Sequence, residues 1–136
     1  MTDRELFDRA CAAMDFAYVP YSRFRVGACL LSDDGRAFTG CNVENASYGG
    51  TICAERTALV KGVSEGAKRF TAIAVAGEAE SAWPCGICRQ VLSEFSRDMK
   101  VVCGARATGR FTVTTLKELL PRAFGPEDLK VPNENP

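Results

Sequence analysis

Apolar residues recur at helical spacing near the start of the chain. Leu6, Phe7, Ala10, Met14 and Ala17 fall on one face of a helix expected over 3–17. Thr2, followed three residues later by Glu5, reads as a capping box at its start. A Pro-containing loop (19–25) precedes an apolar, β-prone run from Val26. The turn Asp33-Asp34-Gly35 and a second run from Ala37 complete a β-hairpin. A Gly-containing loop, 46–51, leads to a helix expected from Cys53 to a stop near Gly62. The unbroken apolar run 70–77 reads as a buried strand. A loop (78–84) precedes a helix expected over 85–98, then short strands from Lys100 and Phe111. A last helix is expected over 115–124, with Pro121 near its end, and a loose Pro-rich tail over 126–136.

The alternation of strand and helix through the middle of the chain implies parallel crossovers. It predicts an α/β sheet covered on both faces. The 136 residues fit one domain, 1–136. No apolar run reaches the roughly 18–20 residues that span a bilayer. The charged beginning, MTDRELFDRA, lacks a signal-peptide apolar region, so a cytoplasmic location is expected. With 17 basic and 17 acidic residues the formal net charge is zero, which argues against a nucleic-acid groove.

Two counts narrow the chemistry. The chain has no His, which excludes a Ser–His–Asp triad, a Cys–His dyad and any His-ligated metal within one chain. It has seven Cys, an odd number and too few for a disulfide scaffold. Cys11, Cys29, Cys41 and Cys103 fall inside expected helix or strands, where free Cys acts as a small hydrophobe. Cys53, Cys85 and Cys88 do not. Cys53 and Cys85 stand at expected helix starts, and Cys88 shares a face of the first turn with Cys85. In an α/β sheet such starts gather at the carboxyl ends of strands, where ligands bind.

Three thiolates leave one tetrahedral position open, as in a catalytic zinc site. Zinc with three thiolates carries a formal charge of −1. Two helix N-termini, each worth roughly half a positive charge, and Arg56 beside Cys53 would offset that charge. A Cys-x-x-Cys redox pair, or a structural site closed by a fourth Cys, fits the same residues. Glu55, two residues past Cys53, favours the catalytic reading, because its carboxylate could reach a water on the metal.

Cys53-Ala54-Glu55 followed by Pro84-Cys85-x-x-Cys88 resembles the signature of zinc-dependent cytidine deaminases in its three-Cys form. Pro20-Tyr21-Ser22-x-Phe24-x-Val26-Gly27, Gly40 to Asn45, Ala46 to Gly49, Cys88 to Leu92 and Leu119-Leu120-Pro121-x-Ala123-Phe124 are similar to the small homotetrameric members. The resemblance covers roughly residues 5–129. It implies a three-layer α/β/α fold with a mixed five-stranded sheet. It also implies one zinc per subunit on Cys53, Cys85 and Cys88, and hydrolysis of cytidine and deoxycytidine to uridine and deoxyuridine with release of ammonia. Glu55 would carry protons between water, N3 of the ring and the departing amine. Asn42 and Glu44 would bond sugar hydroxyls from one strand face. Phe24 would lie against the base, the Ala54 backbone would contact it, and Arg56 would neutralise the thiolates. Tyr48 and Phe124 match positions that reach into a neighbouring subunit's pocket. A blasticidin-type deaminase would lack the Asn-x-Glu pair, a nucleotide deaminase would need a phosphate site, and a non-catalytic zinc or redox module would leave Glu55 unexplained.

Overall fold

The computed structural model describes residues 1–129. In chain order the elements are helix α1 (Asp3–Ala13), strands β1 (Val26–Ser32) and β2 (Ala37–Cys41), helix α2 (Ala54–Ser64), strand β3 (Phe70–Gly77), helix α3 (Gly86–Ser93), strands β4 (Lys100–Ala105) and β5 (Phe111–Thr115), and a one-turn helix α4 (Leu116–Leu119). Short 3-10 turns lie at Met14–Phe16, Tyr48–Gly50 and Pro126–Leu129. The rest of the expected tail, 130–136, lies outside the described residues. No helix among the described residues is long and apolar enough to cross a membrane.

The sheet is mixed and five-stranded, in the order β2-β1-β3-β4-β5. β3 and β4 are parallel, and the other neighbouring pairs are antiparallel. Since β2 and β3 both run against β1, they run parallel to each other. The chain therefore leaves both strands at the same end of the sheet, and there it enters α2 and α3. This topology carries two helix starts, far apart in sequence, to one place.

Three layers follow from the alternation of side chains along the strands. On one face Ala72, Ala74 and Ala76 of β3 present small side chains to Leu6, Phe7, Ala10 and Met14 of the first helical segment. On the other face Ile73, Val75, Val101 and Cys103 pack with Ala58 and Leu59 of α2 and Leu92 of α3. Burying each larger aliphatic or aromatic side chain contributes roughly 1.5–3 kcal/mol. The expected three-layer α/β fold is the one observed.

Several boundaries differ from those the sequence suggests. The expected capping box closes α1: Glu5 N donates to Thr2 Oγ1 and Thr2 N to Glu5 Oε1, each at 3.1 Å. The α-helix stops at Ala13, not residue 17, and tightens into a 3-10 turn where it crosses Gly27. A Cβ at Gly27 would lie 2.0 Å from Ala10 O and 2.8 Å from Met14 N. α2 passes Gly62, which makes room for the Phe38 and Phe70 rings, and ends before Gly66, whose φ of 96° suits only glycine. α3 ends at Ser93, well short of residue 98. Ser93 Oγ donates to the Arg89 carbonyl at 2.7 Å, and Phe95 turns in to pack edge-on against Phe70. The expected 115–124 helix lasts one turn, because Pro121 keeps Leu120 out of the helical region (φ −138°, ψ 73°).

Gly40 sets the position of α2. A Cβ there would sit 2.5 Å from both Ala54 O and Ala58 N, so the first turn of α2 rests directly on β2. Gly40→Ala must push that turn, with Cys53 and Glu55, off the sheet. The expected cost is about 1–3 kcal/mol, seen as a Tm lower by several degrees in calorimetry. An unchanged Tm would show that the turn can move freely.

Candidate functional site

Cys53 is the N-cap of α2 and Cys85 the N-cap of α3. Both have extended backbone (ψ 155° and 169°), so neither is yet in its helix, and Cys88 lies in the first turn of α3. The three Sγ atoms lie within 4.8 Å of one another, and those of Cys53 and Cys85 are 3.8 Å apart. Zinc–sulfur bonds of about 2.3 Å at tetrahedral angles place sulfurs about 3.8 Å apart. The donor set and the spacing therefore fit zinc. No other cluster of three or more potential ligands occurs among the described residues.

The electrostatics fit as well. Arg56, one turn into α2, donates to Cys53 Sγ at 3.3 Å. Its Nε is buried without a partner among the described residues, a cationic donor to spare beside the sulfurs. Hydrogen bonding from Cys88 and then from Arg56 pulls the Cys53 thiol down to about 5. Cys88 is pushed up, because it bonds the Cys53 sulfur and is itself buried. Cys53 thus ionises before Cys88, and a metal must displace the protons that remain.

Glu55 follows Cys53 on α2 and is only 4% exposed. Burial pushes its carboxyl up to about 7, and the Cys53 charge adds to the shift. Such a group can both accept and release a proton near neutrality. Glu55 opens on a cavity of about 200 Å³ together with Phe24, Asn42, Cys53, Ala54 and Cys85. Cys88 lies behind it, fully buried.

Asn42 and Glu44 lie past the end of β2, not on it, flanking the bridges that Val43 makes to Tyr18 and Ile52. Both side chains turn to one loop. Asn42 Nδ2 donates to Phe24 O and its Oδ1 accepts from Val26 N, each at 2.9 Å. Glu44 Oε1 accepts from Tyr21 N and Ser22 N at 3.0 and 3.1 Å. Ser22 and the Tyr21 amide hold its carboxyl below the usual range. Glu44 and Tyr48 line an adjoining cavity that meets the first at Thr51. Tyr48 is 74% exposed and packs edge-on against Tyr21. Phe124 lies apart from both cavities, 57% exposed, and its carbonyl accepts from Gln90 Nε2.

A family model described as the cytidine and deoxycytidylate deaminase zinc-binding region matches residues 1–105. The chain belongs to this deaminase family. It is 46% identical over 130 residues to a cytidine deaminase of Sporosarcina psychrophila, covering 95% of this chain and 96% of that one. It is 51% identical to one of Halalkalibacterium halodurans, covering 93% and 98%. The crystal structure of the cytidine deaminase from Burkholderia pseudomallei superposes with a TM-score of 0.87 at 48% identity, covering 91% of this chain and all of that one.

Motif spacing in this deaminase did not single out Thr51, Ala82 or Trp83, which also line the cavity beside Glu55. For Trp83 a signal existed, since the chain's one Trp directly precedes Pro84-Cys85. Thr51 and Ala82 carry none, because small residues in loops are common. Replacing Cys85 with Ala should leave two thiols and abolish stoichiometric zinc. Elemental analysis checks this, and one zinc retained per chain would exclude Cys85 as a ligand.

Proposed function

We propose that the chain catalyses the hydrolytic deamination of cytidine and deoxycytidine, giving uridine or deoxyuridine and ammonia, as a step of pyrimidine salvage. The observation that carries this reading is the buried Glu55 carboxyl, which opens on one cavity beside a three-thiol cluster with no fourth protein ligand among the described residues. Relatives named cytidine deaminase align along more than nine-tenths of the chain.

Cys53, Cys85 and Cys88 would hold the zinc. When bound, the ion supplies a Lewis acid that makes water nucleophilic at neutral pH. Glu55 takes the proton of the water that attacks C4, passes it to N3, and then helps protonate the departing amine. One carboxyl serves as base and then as acid because burial holds its pKa near neutrality. Arg56 offsets the sulfur charge by bonding Cys53. The Ala54 backbone contacts the base, and Phe24 covers it from the loop that Asn42 fixes. Asn42 Oδ1 has a second lone pair, and the Glu44 oxygen not engaged with the loop is an acceptor. These are the groups offered to sugar hydroxyls.

The assembly belongs to the same reading. The single domain, 1–136, acts as a cytoplasmic homotetramer in which exposed Tyr48 and Phe124 reach a neighbour's cavity.

Glu55→Gln should keep about one zinc per chain and lower kcat/KM for cytidine at least about 10²-fold. Ammonia release measured beside metal content checks this, and near-normal turnover would remove Glu55 from proton transfer. In sedimentation the protein should run at four times the 14.7 kDa chain mass, and a monomer at assay concentration would refute the shared cavity.

A further inference from the structure

Trp83 lies on a wall of the cavity that no step above uses. It is partly buried, and it packs against the core beside Val26 as well as lining the cavity. Its backbone is held on both sides: Trp83 N donates to Ser81 O at 2.7 Å, and Arg89 Nε donates to Pro84 O at 2.7 Å. The 78–84 loop that carries it folds tightly back on β3, since a Cβ at Gly77 would lie 2.6 Å from that of Ala82. Two ion pairs strap the same loop, Glu78 with Arg25 and Glu80 with Arg110, and Glu80 also accepts from Thr108. Trp83 is therefore a fixed wall and not a loose surface ring.

The lining of the cavity is of two unlike kinds. The start of α2 offers polar groups, the Ala54 backbone and the Glu55 carboxyl, while Val26, Ala82 and Trp83 offer apolar surface. A cytosine ring has two unlike edges as well. One carries O2 and N3, and the other carries only C5–H and C6–H. Burying O2 and N3 against apolar surface would cost their hydrogen bonds, so the polar edge turns to α2. The C5–C6 edge then faces Trp83.

We infer that Trp83 determines which substituted cytosines the enzyme accepts, by walling the cavity against groups larger than hydrogen at C5 of the ring. The inference rests on the deaminase reading above. Discrimination by a hydrophobic wall is worth about 10–200-fold per added group of methylene size. It acts on the ratio of substrates more than on the chemistry.

The test measures kcat/KM for cytidine and 5-bromocytidine with zinc-loaded protein, comparing wild type with Trp83→Ser and Trp83→Phe. The 5-bromocytidine to cytidine ratio should rise at least about tenfold in Trp83→Ser. It should rise less, in the same direction, in Trp83→Phe, which keeps an aromatic ring against the core. A ratio unchanged in Trp83→Phe and in any folded Trp83→Ser, with cytidine still turned over, overturns the wall and leaves the deaminase reading standing. A wild type inactive on cytidine overturns both. The single tryptophan gives an independent reading: its emission should change on saturation with uridine, followed by calorimetry. Emission unmoved at saturation overturns the contact.

Discussion

Three sulfurs that repel one another once ionised are held within 4.8 Å by backbone that cannot easily yield. The rest of the site is organised around that repulsion. The cluster sits at the positive ends of two helices, and the Arg56 guanidinium bonds one sulfur directly. Neither source would be in place without the sheet. β2 and β3 must run parallel to bring the helix starts together, and Gly40 must lack a side chain for α2 to sit low enough. A divalent cation would complete the balance, and the folded chain has gathered most of what such an ion requires before it arrives.

Glu55 shows what the arrangement costs. Folding takes this carboxyl from water to a site 4% exposed, and its pKa rises from 4.5 to about 7. In the metal-free protein the sign of the linkage is plain. Below pH 4.5 the group is protonated in folded and unfolded chains alike. Between 4.5 and 7 the unfolded chain gives up its proton while the folded chain keeps it, so stability falls across that window. A buried acid with this behaviour is a poor choice for stability and a good one for moving protons at neutral pH.

Much of this was legible in the sequence, for identifiable reasons. Cys53, Cys85 and Cys88 stood out because each falls at a helix start, and that judgement needed only periodicity and spacing. Four of the expected strands appear where they were placed, since apolar runs such as 70–77 have few alternatives, whereas the second hairpin strand ends at Cys41, short of Asn42 and Glu44. Helix ends were less legible. Gly62 reads as a stop, yet it lies inside α2 where two aromatic rings pass, and the terminating glycine is Gly66. The pair Asn42 and Glu44 was legible as polar and close. That each would bind the backbone of the 21–26 loop was not, because that loop lies some twenty residues earlier in the chain. Trp83 escaped because a cavity wall formed by a loop has no period to betray it.

The charge around the two cavities bears on a choice that family membership alone leaves open, since the matching family spans nucleoside and nucleotide deaminases. Among the described residues lining either cavity the only ionisable groups outside the thiol cluster are Glu55, Glu44 and the phenols of Tyr21 and Tyr48. Among the described residues neither Lys nor Arg lines them; of the two basic residues that flank Phe24, Arg25 is paired with Glu78, and Arg23 is exposed and lines neither cavity. A phosphate entering by the adjoining cavity would meet the Glu44 carboxylate, which its loop contacts keep ionised. Like charges that close repel, and no Lys or Arg among the described lining residues offsets the repulsion. A neutral sugar meets no such penalty and finds acceptors for its hydroxyls in the same place. The electrostatics of a single chain thus favour the free nucleoside over its monophosphate.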